Sequence, residues 1–418
     1  MKRSIFALVA ILFLLSVSSI MGLIQTVKAA SAPIYINADG SITPSTAPIY
    51  TADNVTYTLT GNITSATDGI VINRDNIVLN GAGYILTGSG GADTIGITIS
   101  TNINDVTARN LTIINFGYGI WLESSSVNAL SSNNVTNNVY GIYLSSSSNN
   151  TLSSNTVTAN SNNGIWLSSS SNNTLSGNTV TANSNNGIEL DSSLDNTLSS
   201  NNVTANNDDG ILLESSSNCT LSGNNVSANS NSGIYLDSSS NNDVLSGNNA
   251  ANNNQQGIHL VSSSNDTLSG NNVTANGNDG IVLGSSSNCT LSGNNVTANS
   301  EYGIVLSNSS DNSIFYNNFV NNTIQADTID SANAWDNGSV GNYWSDYLTK
   351  YPNAAQVDNS GVWNTPFVID ANNTDYYPLT VPIAVIPEFP MIQVTMFFML
   401  LTLLAVIICK KKGLKSAS

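Results

Sequence analysis

From Gly119 to Gly303 the apolar and polar positions follow one pattern that returns at a fixed interval. Gly-Ile pairs begin at Gly119, Gly141, Gly164, Gly187, Gly210, Gly233, Gly257, Gly280 and Gly303, 184 residues in eight steps, so the period averages 23. Within one unit, Asn173 to Ser193, the apolar positions are Leu175, Val180, Ile188 and Leu190. Ile188-Glu189-Leu190 alternates with the period of two that marks a strand, and no segment carries a helical period. Three short strands per unit follow: around Thr174 to Ser176, around Thr179 to Thr181, and Gly187 to Asp191. The turns between them are Asn, Ser and Gly, which tolerate left-handed backbone and bond locally to main chain. A repeat of this length built only of strands predicts a solenoid. The expected fold is all-β, a right-handed single-stranded parallel β-helix.

Stacking such coils lines up like with like. Leu152, Leu175, Leu198, Leu221, Leu245, Leu268 and Leu291 form one inward column and Val157, Val180, Val203, Val226, Val273 and Val296 a second; Ile142 to Ile304 and Leu144 to Leu306 give two more. Burying four such side chains contributes roughly 6 to 12 kcal/mol per coil. Ordering the backbone costs about 1 to 2 kcal/mol for every residue of the coil. One coil cannot fold alone, and stacking must supply the difference. Asn133, Asn155, Asn178, Asn201, Asn224, Asn248, Asn271 and Asn294 recur two places before the Val column. A stacked amide column can hydrogen-bond from coil to coil and satisfy a turn that enters the interior.

The pattern also divides the chain. Residues 1–30 read as an export signal: Lys2 and Arg3, an apolar stretch, then small residues near Ala29 to Ala32. Residues 31–46 read as a linker, 47–118 as irregular first coils and 119–326 as the regular array. After Asn322 the period stops and aromatic residues cluster, so 327–380 reads as a C-terminal cap for the open solenoid end. A Pro-rich linker at 381–390 precedes an apolar stretch, 391–409, about long enough to span a bilayer, and a basic tail, 410–418, expected to stay in the cytoplasm. The repeats would then lie outside the cell.

Composition narrows the partners. Only 9% of residues are charged and the formal charge is -17. Between Ala32 and Pro390 the basic residues are Arg74, Arg109 and Lys350. Nucleic acid needs phosphate-neutralising cations, so that partner class is excluded. Cys219 and Cys289 lie three repeats apart, about 14 Å along the axis, too far for a disulfide. Asn-x-Ser/Thr acceptors such as Asn134, Asn202 and Asn295 suit glycosylation on an exported chain.

The Asn-x-Leu-Ser-Gly-Asn and Gly-Ile-x-Leu repeats resemble those of archaeal NosD-like β-helix proteins. Gly341-Asn-Tyr-Trp-Ser-Asp-Tyr with Asn373-Thr-Asp-Tyr-Tyr-Pro-Leu looks like the closing module of such repeats, so the resemblance covers about residues 45 to 380. Ile386-Pro-Glu-Phe-Pro is similar to PEF-type C-terminal sorting signals, which implies that a sorting enzyme cuts the tail and replaces it with another anchor. The resemblance implies copper delivery or sugar binding and cleavage, but repeat motifs establish a fold and not a function. Copper favours imidazole or soft sulfur ligands, whereas the chain has one His, His259, and no Met inside the repeats.

Chemistry is left to the outward x positions of Gly-Ile-x-Leu-x. One column reads Trp121, Tyr143, Trp166, Glu189, Leu212, Tyr235, His259, Val282 and Val305; its neighbour reads Glu123, Ser145, Ser168, Asp191, Glu214, Asp237, Val261, Gly284 and Ser307. Aromatic rings beside carboxylates suit a sugar chain, with Trp121, Tyr143, Trp166, Tyr235 and His259 as the glycan-binding candidates. Two of Glu189, Asp191, Glu214 and Asp237 are the candidates for glycoside hydrolysis, since coils hold neighbouring carboxylates about 4.8 Å apart and alternate ones about twice that, spacings used by retaining and inverting enzymes. Stacked acids also suit a bound calcium ion. The blander reading is a solvated strand face on a spacer without catalysis. A β-eliminating lyase lacks its cation, because no Lys or Arg occurs between Asn110 and Thr349.

Overall fold

A computed structural model describes residues 32–358 and 360–384. The chain winds through about 13 right-handed turns. Successive turns stack into three sheets of 14, 13 and 13 strands, parallel except for the antiparallel end strands Ile42–Thr43 and Ile49–Tyr50. The unit read from sequence forms strands Thr174–Ser176, Thr179–Thr181 and Ile188–Asp191. Each pairs in register with its equivalents one coil before and after: Leu175 lies between Leu152 and Leu198, and Val180 between Val157 and Val203. The four inward columns are buried along the array, with Leu175, Val180, Ile188 and Leu190 all at 0% exposure.

The Asn column forms the expected ladder. Asn178 donates from Nδ2 to Leu152 O at 2.9 Å and to Asn201 Oδ1 at 2.9 Å, while its own Oδ1 accepts from the backbone N–H and the Nδ2 of Asn155, both at 3.0 Å. Each amide thus binds one coil on either side and the main chain of the corner it enters. Two further ladders accompany it. One runs through Asn138, Asn160, Asn183, Asn206, Asn229, Asn253, Asn276, Asn299 and Asn322. The other runs through Asn128, Asn150, Asn173 and Asn196, then Cys219, Asp243, Asp266 and Cys289 before Asn312. A coil corner that turns inward has buried main-chain groups to satisfy, and the first two columns satisfy them throughout; in the third, Cys219 and Cys289 offer no amide oxygen to the N–H groups of Asn196 and Asp266.

The Gly column has a steric cause. A Cβ on Gly187 would lie 2.4 Å from Val203 Cγ1, 2.6 Å from Gly210 O and 2.7 Å from Asn206 Nδ2. The strand therefore enters the sheet pressed against the Val column and an Asn ladder.

The ends differ from the array. Residues 31–46, expected as a linker, begin the solenoid: Ile34–Ile36 pairs in parallel with Ile70–Ile72, and Ile34 and Ile36 are buried. Their alternation is too short to read as a strand without the coil beneath it. At the other end Phe319, Trp344 and Phe367 stack face to face, with centroids 4.7 and 4.3 Å apart, and Trp335 leans on Trp344. Asp375 is fully buried and accepts from Trp344 Nε1 at 2.8 Å and the Asn342 N–H at 2.7 Å. Asn342 in turn receives the central ladder from Asn317, so the cap closes the polar column as well as the apolar core. Among the described residues no helix is long and apolar enough to cross a membrane. The export signal at 1–30, residues 385–390 of the Pro-rich linker, the apolar segment 391–409 and the tail 410–418 lie outside the described residues.

Candidate functional site

Register carries the two outward columns of the first sheet into one strip. Trp121, Tyr143, Trp166, Glu189, Leu212, Tyr235, His259, Val282 and Val305 are each paired with the next along the strip. All are half-buried, their inner neighbours being the Ile and Leu columns.

The aromatic end is larger than sequence indicated, because Tyr118 and Tyr140 join it. Tyr118 stacks on Tyr140 at 4.9 Å and 8°, Tyr143 on Trp166 at 4.5 Å and 26°, and Trp121 lies 4.8 Å from Tyr118 and 5.4 Å from Tyr143. Ring faces turn on one another along the axis, so much of what the patch offers a ligand is ring edges and phenol groups. The indole N–H groups of Trp121 and Trp166 are buried without a hydrogen-bond partner, each at a cost of about 1 to 3 kcal/mol. The sequence signal for the extra rings was Tyr-Gly in place of Asn-Gly at the strand entry. The coils of Tyr118 and Tyr140 are also one residue shorter at that corner, where Asn138-Val139-Tyr140 becomes Asn160-Ser161-Asn162-Asn163 one turn on. This change of length leaves a step, and a cavity of about 340 Å³ opens there, lined by Phe116, Asn138, Val139, Ala159 and Ser161 among others.

The acidic stretch follows. Glu189 Oε2 accepts from Asn163 Nδ2 at 2.8 Å and Asn186 Nδ2 at 2.7 Å. Burial raises its proton affinity, and the two amides oppose that shift. Asp191, Glu214 and Asp237 stack in consecutive coils beside it. Asp209, missed in sequence because it sits in the corner before the strand, is 4% exposed and accepts from the Ser232 N–H at 2.8 Å. Desolvation pushes its carboxyl up to about 7. Tyr235 stacks on His259 at 4.9 Å and 12°. Burial and the nearby Asp237 push the Tyr235 phenol up to about 12, and burial lowers the His259 imidazole. The sequence-derived candidates therefore share one strip in two clusters, Trp121, Tyr143 and Trp166 at one end, joined there by Tyr118 and Tyr140, and Glu189 to His259 at the other.

A copper site does not fit these residues. His259 is the sole imidazole in the chain. Cys219 and Cys289 are buried in ladder positions with their thiols pushed up to about 12. Among the described residues no three His, Cys, Asp or Glu side chains are grouped to hold a metal ion.

Comparisons with known proteins agree on the repeat. A family model described as "Periplasmic copper-binding protein (NosD)" matches residues 204–349, and one described as "Right handed beta helix region" matches residues 95–246. No curated protein matches significantly in sequence. Similar solved structures include a double mutant of the periplasmic alginate epimerase AlgG, at 15% identity and TM-score 0.45, covering 72% of this chain and 83% of that one. The A-module of the mannuronan C-5 epimerase AlgE4 of Azotobacter vinelandii matches at 14% identity and TM-score 0.42, over 65% of this chain and 88% of that one. The Dettilon tailspike protein matches at 17% identity and TM-score 0.44, over 64% and 62%. At these scores the likenesses decide nothing about what the chain binds.

Proposed function

We propose that this chain, a NosD-like β-helix repeat protein, is an exported cell-surface module that binds a hydroxyl-rich polysaccharide along the first-sheet strip without cleaving it. The observation that carries the reading is the five-ring patch of Tyr118, Trp121, Tyr140, Tyr143 and Trp166, set beside a step in the coil and continued by acids that accept hydrogen bonds. Sugar hydroxyls donate to carboxylates, and sugar C–H faces pack against aromatic rings. With no Lys or Arg between Asn110 and Thr349, neutral glycans and amino-glycans suit the strip and polyuronates do not.

A glycan array comparing wild type with a Trp121→Ala/Trp166→Ala variant tests the reading. Each aromatic contact contributes about 0.5 to 1.5 kcal/mol, so the variant should bind about tenfold more weakly. Unchanged binding would remove the strip from consideration.

Glycoside hydrolysis is a second reading, favoured by the raised proton affinity of Glu189 beside the stacked carboxylates of Asp191, Glu214 and Asp237. An acid that keeps its proton suits a general acid. Release of reducing ends that persisted in Glu189→Gln and Glu214→Gln variants would eliminate it.

A further inference from the structure

We infer that the chain carries a ridge of N-linked glycans on the corner between the first and second sheets, at Asn149, Asn172, Asn218, Asn265 and Asn288. The inference rests on the export in the proposed function, because an oligosaccharide transferase must meet the chain outside the cytoplasm.

The regular array holds twelve Asn-x-Ser/Thr acceptors. Two stand at its C-terminal end: Asn308, whose Nδ2 donates to Ser307 Oγ at 3.4 Å, and Asn321, which follows strand Asn318–Val320. The other ten fall into two structural sets. Asn134, Asn202, Asn225, Asn272 and Asn295 lie on strands of the third sheet and are half-buried. Four of these are tied by their side chains: Asn225 Nδ2 donates to Asn202 Oδ1 at 2.7 Å, Asn272 Nδ2 to Asn249 Oδ1 at 2.7 Å, and Asn295 Nδ2 to Asn272 Oδ1 at 3.0 Å. A sugar on Nδ2 of Asn225, Asn272 or Asn295 would crowd the outer amide ladder, and one on Asn202 would stand among the same strand neighbours.

Asn149, Asn172, Asn218, Asn265 and Asn288 are different. All five are exposed and hold left-handed backbone, with φ between 57° and 64°. Their backbone N–H groups bond to the next coil, as Asn172 N–H does to Leu194 O at 3.0 Å, while none of the five side-chain amides bonds to another described residue. The middle residue of each acceptor is a buried ladder member: Asn150, Asn173, Cys219, Asp266 or Cys289. The Thr that completes it opens a second-sheet strand and faces outward, as Thr174 and Thr220 do. The coil therefore displays amide and hydroxyl on one side while burying what lies between.

In the transfer, Nδ2 of Asn attacks C1 of the first sugar of a lipid-phosphate-linked oligosaccharide. The N–C1 bond forms, the C1–O bond to phosphate breaks, the lipid phosphate leaves, and one amide proton passes to the transferase base. Spacing then sets occupancy. Asn149 and Asn172, like Asn265 and Asn288, are one coil or about 4.8 Å apart, whereas Asn218 is two coils from its neighbours, about 10 Å. Sugars at adjacent coils crowd each other and those around Asn218 do not.

Glycopeptide mapping of the full chain recovered from the outer surface of its own cells tests this. Cleavage at acidic or aromatic residues is required, because no Lys or Arg lies between Asn110 and Thr349. The expected result is sugar at the corner asparagines, fullest at Asn218 and shared within each adjacent pair, with strand acceptors bare. Asn218→Gln should remove that glycan and lower the thermal midpoint only slightly, Gln being less suited than Asn to φ 59°, while Thr220→Val should remove the glycan with the Asn218 backbone kept. Surface protein with a bare corner, or with strand acceptors modified equally, overturns the ridge while leaving export intact. Recovery only from within intact cells overturns both.

Discussion

Replacing Asn178 with alanine would strand the backbone N–H of Asn155 inside the coil and remove one partner each from Asn155 Nδ2, Asn201 Oδ1 and Leu152 O. Leaving buried groups unpaired costs about 1 to 3 kcal/mol each, so denaturant unfolding should show a loss of several kcal/mol, far more than the side chain's small apolar area would suggest. Where the third ladder departs from Asn, its behaviour turns on pH. Asp243 and Asp266 stand in amide positions, each accepting at Oδ1 from the preceding ladder residue, and Asp243 Oδ2 has no partner where an amide would donate. A protonated carboxyl restores that donor. Desolvation pushes Asp243 up to about 8 and Asp266 up to about 7 from an ordinary value near 3.8. The folded chain then holds protons that the unfolded chain releases above about pH 4. This stabilisation is full below about pH 4, declines as pH rises, and is gone by about pH 8. Asp209 and Asp375, each up to about 7, shift the same way. Thermal midpoints should therefore fall from pH 4 to pH 8, and Asp243→Asn/Asp266→Asn should flatten much of that slope. A variant with the wild-type slope would show that the two acids titrate normally. Sequence revealed the Asn133 to Asn294 column, because it keeps a fixed distance to Val. The column holding Cys219 and Asp243 changes residue type, so only stacking shows that a thiol and a carboxyl occupy amide positions.

At the level of the coil, two glycines of one unit should respond oppositely to substitution. Gly187→Ala forces Cβ into Val203 Cγ1 and Gly210 O, both in packed interior, and overpacking of this kind costs about 1 to 3 kcal/mol or more. Gly177 has φ +61, yet the same turn in neighbouring coils is held by Ser154 and Ser200 at φ 54, and the nearest atom to its Cβ is 3.9 Å away. Gly177→Ser should change stability by less than about 1 kcal/mol. Denaturation midpoints for the pair separate a steric glycine from a conformational one; equal losses would contradict that division. Strand positions were legible to within a residue because inward columns alternate without interruption. The strip was legible as a set of columns but not as a shape. The 22-residue step from Gly119 to Gly141 is visible in the sequence, whereas the hollow at the corner depends on the coil after Tyr140 being one residue longer.

Over the whole molecule, the apolar columns run from Ile34 to the Trp344 cap and the amide ladders from Asn128, Asn133 and Asn138 onward, so most features of the three sheets repeat. Repetition explains the fold and leaves binding by the strip to positions that do not repeat, the five rings and the acids from Glu189 to Asp237, while the exposed asparagines at one corner are themselves a repeated feature. Under the proposed function, the formal charge of -17, with no basic residue along the strip, favours uncharged polymers over anionic ones. Repulsion should keep polyuronates away, while neutral chains should bind with little dependence on salt. Indole emission reads this against the variant, because Trp121 and Trp166 lie in the patch while the other three indoles belong to the cap, Trp335 and Trp344 buried and Trp363 half-buried on Tyr347. The decisive measurement is a fluorescence titration of the full chain with neutral, amino and uronate polysaccharides, beside a Trp121→Phe/Trp166→Phe variant. The expected result is a saturable change with a neutral or amino polymer that the variant lacks; no change with any polymer, or the same change in the variant, would contradict glycan binding by the strip.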